Sequence, residues 1–229
     1  MNLKKYINYK NLIKLILIFI LFYFSSLWKY IPIILLKINP KNISTSTNML
    51  LSIFSSLCTL IILLIIYRKD LIEYGKKFKK EPFRILDSSF KYYLLGILGM
   101  IISNLFITLI LKGSGANNEK IVQNMISENT FLMFISAGIL APIIEELVFR
   151  KSYLDTFKTK KTFIIISSLV FGGMHVLTSS TTILDYLYFI PYTCLGLALA
   201  TMDYKENNIY PSIIMHMFHN SLLIILSTL

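Results

Sequence analysis

The sequence predicts an all-α fold, a polytopic bundle of about seven transmembrane helices, on three observations. Of the chain's 229 residues, 55% are hydrophobic and only 15% charged, whereas a soluble domain places about a quarter of its residues in the charged classes. The apolar residues gather into runs near the ~20 residues that cross a hydrocarbon core. The basic residues fall between those runs and crowd alternate connections, the asymmetry that sets orientation in a bilayer.

Taken in order, the runs are Leu12–Leu36, Met49–Tyr67, Phe90–Leu111, Thr130–Phe149, Phe163–Thr178, Ile183–Met202 and Ile209–Leu229. The first follows a basic start but is longer than the apolar part of a secretion signal. No small-residue cleavage site follows it, so it reads as a retained anchor. Without repeats or a long polar linker, residues 1–229 read as one integral membrane domain. The connection KGSGANNEK (Lys112–Lys120) reads as a flexible external loop. Cys58 and Cys194 both fall inside runs, with no disulfide framework or zinc spacing behind them.

A net charge of +11 raises the question of nucleic acid, but the basic residues lie on no single soluble face, and that class is set aside. Counted by connection, seventeen Lys and Arg fall on one side of the bundle and four on the other. The positive-inside rule then puts the amino terminus in the cytoplasm and the carboxyl terminus outside. The block RKDLIEYGKKFKKEPFR (Arg68–Arg84) reads as a juxtamembrane segment attracted to anionic lipid heads, at about 1 kcal/mol per basic residue near the surface.

Ionisable groups inside apolar runs default to a functional reading, because each costs about 2.5–3.5 kcal/mol at a helix centre. In APIIEELVFR (Ala141–Arg150), Glu146 and Arg150 are four apart and share a helix face, while Glu145 points about 100° away. Arg150 then neutralises and orients Glu146, leaving Glu145 as a candidate general base. Pro142 removes a backbone donor just before the pair. Taken alone, EELVFR reads equally as a charged helix end at the interface.

Two further clusters qualify. In FGGMH, Phe171 and His175 share a face and two glycines admit a close helix neighbour; in HMFHN, His216 and Asn220 share a face, with His219 offset. Hydrogen-bonded helix packing is the plain alternative for both.

EExxxR, FxxxH and HxxxN, in that order on successive membrane helices, resemble the signature of the type II CAAX-processing and bacteriocin-processing intramembrane endopeptidases, the Abi family. All signature positions are filled between Glu145 and Asn220, within a core of about 130–229. The resemblance implies that Glu145 activates water, Glu146 supports it and Arg150 holds the pair. It implies that His175 positions the water and that His216 and Asn220 stabilise the oxyanion. His219 matches no signature position.

No cofactor is expected. Glu145, His175 and His216 are the alternative zinc set, but the chain lacks HExxH, and the resemblance favours a metal-free reaction. The implied function is hydrolysis of a peptide or membrane-protein substrate near the cytoplasmic face, in bacteriocin maturation, self-immunity or peptide-signal processing. The alternative is a non-catalytic immunity or accessory protein. Short loops and a bias to Ile, Lys and Asn point to a bacterial plasma membrane. Placing Glu145 near the end of the fourth run leaves His175 deeper than its partner, unless the fourth helix continues past Arg150 towards Thr156.

Overall fold

The computed structural model describes residues 6–111 and 116–229. Apolar runs become helices, and polar caps close their ends. The first run breaks into α1 (Tyr9–Tyr23) and α2 (Tyr30–Leu35), joined by a 3-10 turn and bent by 46°. Next come α3 (Thr45–Lys80), α4 (Pro82–Ile110), α5 (Asn117–Glu128), α6 (Thr130–Thr156), α7 (Lys160–Leu177), α8 (Phe189–Glu206) and α9 (Tyr210–Leu226). A 3-10 turn, Ile183–Tyr188, leads into α8.

The Ser44 side chain accepts from Thr47 N at 3.2 Å to cap α3, and Thr159 accepts from Thr162 N at 3.3 Å to cap α7. Each satisfies an amide that the first helical turn leaves unpaired. Asn207 adopts a left-handed conformation, φ 44°, to end α8. Pro211 then sits in the first turn of α9, where its missing N–H costs nothing.

Among the described residues, five helices are long and apolar enough to cross a membrane, or six if the bent α1–α2 pair is one span. The expected count of seven is not confirmed: α9, the seventh run, is apolar but 17 residues long, one fewer than α7. The connection Arg68–Arg84 is not a loop. Helix α3 continues for 36 residues, about 54 Å at 1.5 Å each, and α4 starts immediately at Pro82, so the basic block is a helical extension. Of the expected external loop, Lys112–Gly115 lie outside the described residues, and Asn117–Lys120 open α5.

Leu63, Leu147, Phe149, Phe163, Phe171 and Ala200 form the buried centre, while Ile65, Leu95, Leu105 and Leu109 face outward. Large apolar side chains on the outside are what lipid contact requires. At the end bearing Arg68–Lys80 and Lys160, called the basic end below, Lys151 is buried between Asp70 at 3.0 Å and Asp155 at 2.5 Å. Lys14 reaches Asp155 at 3.9 Å. These pairs tie α1, α3 and α6 together.

Only one of the two FGGMH glycines carries the close approach. A Cβ on Gly172 would meet Thr193 Oγ1 at 2.3 Å and the Phe189 carbonyl oxygen at 3.2 Å, whereas one on Gly173 finds nothing nearer than 3.8 Å. Gly172→Ala is therefore expected to lower stability by about 1–3 kcal/mol through overpacking against backbone, with Gly173→Ala neutral. Thermal unfolding of the two variants in detergent reads the difference.

Candidate active site

Helix α6 resolves the depth mismatch by running on to Thr156. It does so through two π-helical stretches, Phe134–Leu140 and Glu146–Lys151, the wide turns that often mark functional sites. Glu145 then lies about 16 Å from the Thr156 end and about 22 Å from the Thr130 end, at 1.5 Å per residue. A site at the basic end, expected from a helix ending at Phe149, gives way to one at mid-depth.

The two adjacent carboxylates have different surroundings. Glu146 is fully buried, with Oε2 3.3 Å from Arg150 Nε. The guanidinium is also buried and lies 4.4 Å over the Phe171 ring, with Ser167 Oγ 3.5 Å from Nη1. Glu145 keeps 17% of its side chain exposed and lines a cavity with His175 and Asn220. An unpaired buried ion would cost several kcal/mol, so the geometry gives the arginine to the carboxylate that water cannot reach.

His216, from α9, sits between the two glutamates. Its Nδ1 is 2.9 Å from Glu146 Oε1 and its Nε2 3.8 Å from Glu145 Oε2. Phe171 meets this ring edge-on at 5.7 Å, which brings α6, α7 and α9 to one point. His175 donates from Nδ1 to the Phe171 carbonyl at 3.0 Å and stacks on Tyr192 at 4.5 Å. In a neutral ring that bond leaves Nε2 as the acceptor. Asn220 spends one amide hydrogen on the Ala137 carbonyl of the first π-helical stretch, at 2.9 Å, and keeps a second. His219 is turned to α4, with Nδ1 3.4 Å from Tyr93 Oη.

Among the described residues, no three His, Cys, Asp or Glu side chains gather as a metal shell. The alternative zinc set brings Glu145 and His216 to 3.8 Å of each other, and the Nδ1–H bond of His175 to the Phe171 carbonyl leaves its Nε2 as the free ring nitrogen.

Asp203, on α8, directly follows the run Ile183–Met202 and belongs to none of the three motifs. It is fully buried, accepts from Ser212 Oγ at 2.8 Å, and leaves Oδ1 without a hydrogen bond. The Ser212 hydroxyl also faces Glu146. Part of this was legible: Ser212, His216 and Asn220 are spaced by four, so the HxxxN face extends one turn towards the basic end. The pairing with Asp203 needs the α8–α9 turn. Asp203→Asn keeps an acceptor for Ser212 and removes a carboxylate from a dry site, so its stability is expected to equal or exceed that of the parent. Asp203→Leu removes one acceptor from the Ser212 hydroxyl, which keeps the Ile209 carbonyl at 3.0 Å, and costs about 0.5–1.5 kcal/mol. Unfolding midpoints of the two variants check this.

Residues 127–222 match the model of the family described as type II CAAX prenyl endopeptidase Rce1-like. Among curated proteins, the chain is 28% identical over 144 residues to the "Putative membrane peptidase YdiL" of Bacillus subtilis (strain 168), covering 62% of this chain and 49% of that protein. It is 36% identical over 93 residues to the "UPF0177 protein YaiH" of Lactococcus lactis subsp. lactis (strain IL1403), covering 41% of this chain and 36% of that protein. The chain thus spans about half the length, or less, of these relatives. No solved structure matches. The matched stretch, 127–222, holds all three motifs from Glu145 to Asn220, so it is over the site-bearing helices that the chain is similar to the Rce1-like type II CAAX prenyl endopeptidases.

Proposed function

We propose that this chain is an intramembrane endopeptidase that hydrolyses a peptide bond with water activated by Glu145. One observation carries the reading: His216 bridges two adjacent carboxylates, of which one is neutralised by a buried arginine and the other faces a cavity. A base beside a cavity, with hydrogen-bond donors next to it, is what amide hydrolysis asks of a protein.

Glu145 takes a proton from water held near the free Nε2 of His175, and the hydroxide adds to the scissile carbonyl carbon. The negative charge that develops on the carbonyl oxygen meets the second amide hydrogen of Asn220. A His216 ring protonated on both nitrogens, with Nδ1–H held by Glu146, adds Nε2–H as a second donor. Glu145 then passes its proton to the leaving nitrogen as the C–N bond breaks. Arg150 and Glu146 take no proton in this scheme; they hold the His216 ring at its angle.

The proposed substrates are peptides or membrane proteins, including precursors of bacteriocins and peptide signals, in a bacterial plasma membrane. The helical extension Arg68–Lys80 would rest against anionic lipid heads. Incubating the purified chain with a precursor peptide in heavy-oxygen water tests the reading. One heavy oxygen in the new carboxyl group of the product is the expected result. Intact peptide at every enzyme concentration would leave a non-catalytic immunity or accessory protein.

A further inference from the structure

Two cavities meet at the site, and both lie on the same side of it. One, of about 160 Å³, is lined by His216, His175, Asn220, Tyr188, Asn104 and Gln123. The other runs from Glu145 past Phe149 to Tyr23, Phe24, Ser26 and Leu27 at the α1–α2 bend. His175, Asn220 and Ala137 form the wall they share, and Asn118 and Val122 of α5 roof both.

Depth along the helices fixes which end this is. Asn104 lies 22 residues into α4 from Pro82, about 33 Å from the basic end, and Tyr188 precedes the α8 residue farthest from Glu206. Thr178 follows the last residue of α7, and Ser227 the last of α9. Towards the basic end the site is closed. Phe149, Arg150, Phe163, Asp203 and Ser212 are all at most 1% exposed, and beneath them Lys151 is locked between Asp70 and Asp155.

We infer that the chamber opens on the membrane face opposite the cytoplasm, and that the bond cut is presented from that side. Among the described residues, the basic end carries fifteen of the Lys and Arg counted by connection, against three at the other. That bias places the closed end in the cytoplasm and the mouth under α5 outside it. The substrate class follows, resting on the hydrolase reading: an exported peptide, or the outward flank of a membrane protein. A site entered from the cytoplasm is not what this geometry builds. The mouth suits such a chain, with aromatic and aliphatic groups at the α1–α2 bend beside amides and hydroxyls on α5 and α9.

Cysteine labelling tests the inference on the full chain, with Cys58→Ala and Cys194→Ala removing the native thiols. Asn104→Cys, inside the chamber, is expected to react in intact cells with a membrane-impermeant cationic methanethiosulfonate. Lys79→Cys at the basic end is expected to react only after permeabilisation. Gln123→Cys on the exposed side of α5 reads the same face if the chamber variant does not fold. Labelling of Asn104→Cys or Gln123→Cys only after permeabilisation, or of Lys79→Cys in intact cells, overturns the inference. The reagent needs no catalysis. Failure here therefore leaves the hydrolase reading standing, and failure of hydrolysis in detergent leaves the labelling result standing.

Discussion

Replacing Glu145 by alanine is expected to lower the rate of peptide hydrolysis by about 10²–10⁴-fold, the range that a positioned general base contributes. Folding should be spared. Glu145 makes no salt bridge to Arg150, retains 17% exposure, and has His216 Nε2 at 3.8 Å. Membrane insertion and unfolding temperature should therefore match the parent, and the loss should appear in kcat more than in KM, because the carboxylate acts on water rather than on substrate binding. Glu145→Gln is the sharper variant, keeping the shape and removing the base. Single-turnover rates with a cleavable peptide separate the cases, and full activity in Glu145→Gln would remove the residue from the mechanism.

Arg150→Ala is expected to fail in the opposite manner, through stability. Its guanidinium is fully buried against Glu146, Ser167 and the face of Phe171, so truncation leaves Glu146 as an uncompensated ion in a dry interior. Breaking one partner of such a pair costs about 3–5 kcal/mol. The unfolding midpoint in detergent should fall sharply. Adding Glu146→Gln to Arg150→Met should restore much of it, because the two charges then leave together. Activity should not return with stability, since Glu146 also holds the His216 ring at 2.9 Å. A double variant that regains both would show the pair to be packing alone.

The sequence was legible where chemistry repeats at the spacing of one helical turn. Glu146 and Arg150, Phe171 and His175, and His216 and Asn220 are each four apart, and local geometry alone puts each pair on one face. That Glu145 would part company with Glu146 followed from the same 100° step. Other features depend on partners remote in sequence. Asp203 meets Ser212 only after the chain turns back at Asn207, and Asn220 meets Ala137 across 83 residues. The end of α6 was misread because Arg150 and Lys151 resemble an interfacial stop. Both are buried, one against Glu146 and one between two aspartates, so their charges are cancelled inside the bundle. The length of α3 was hidden likewise, since composition changes at Arg68 while the backbone hydrogen bonding does not.

The wide turns of α6 leave it with slack that an ordinary helix lacks. Each π-helical stretch accommodates more residues per turn than its flanks, so losing a single residue between Phe134 and Leu140 would not shorten the span appreciably. It would return that turn to ordinary winding and leave the residues beyond it on nearly the same faces, Glu145 on the chamber wall and Arg150 over Phe171. What goes is the widened turn whose Ala137 carbonyl takes the Asn220 amide, so the loss of one codon would strike the chamber wall while the buried charges keep their partners.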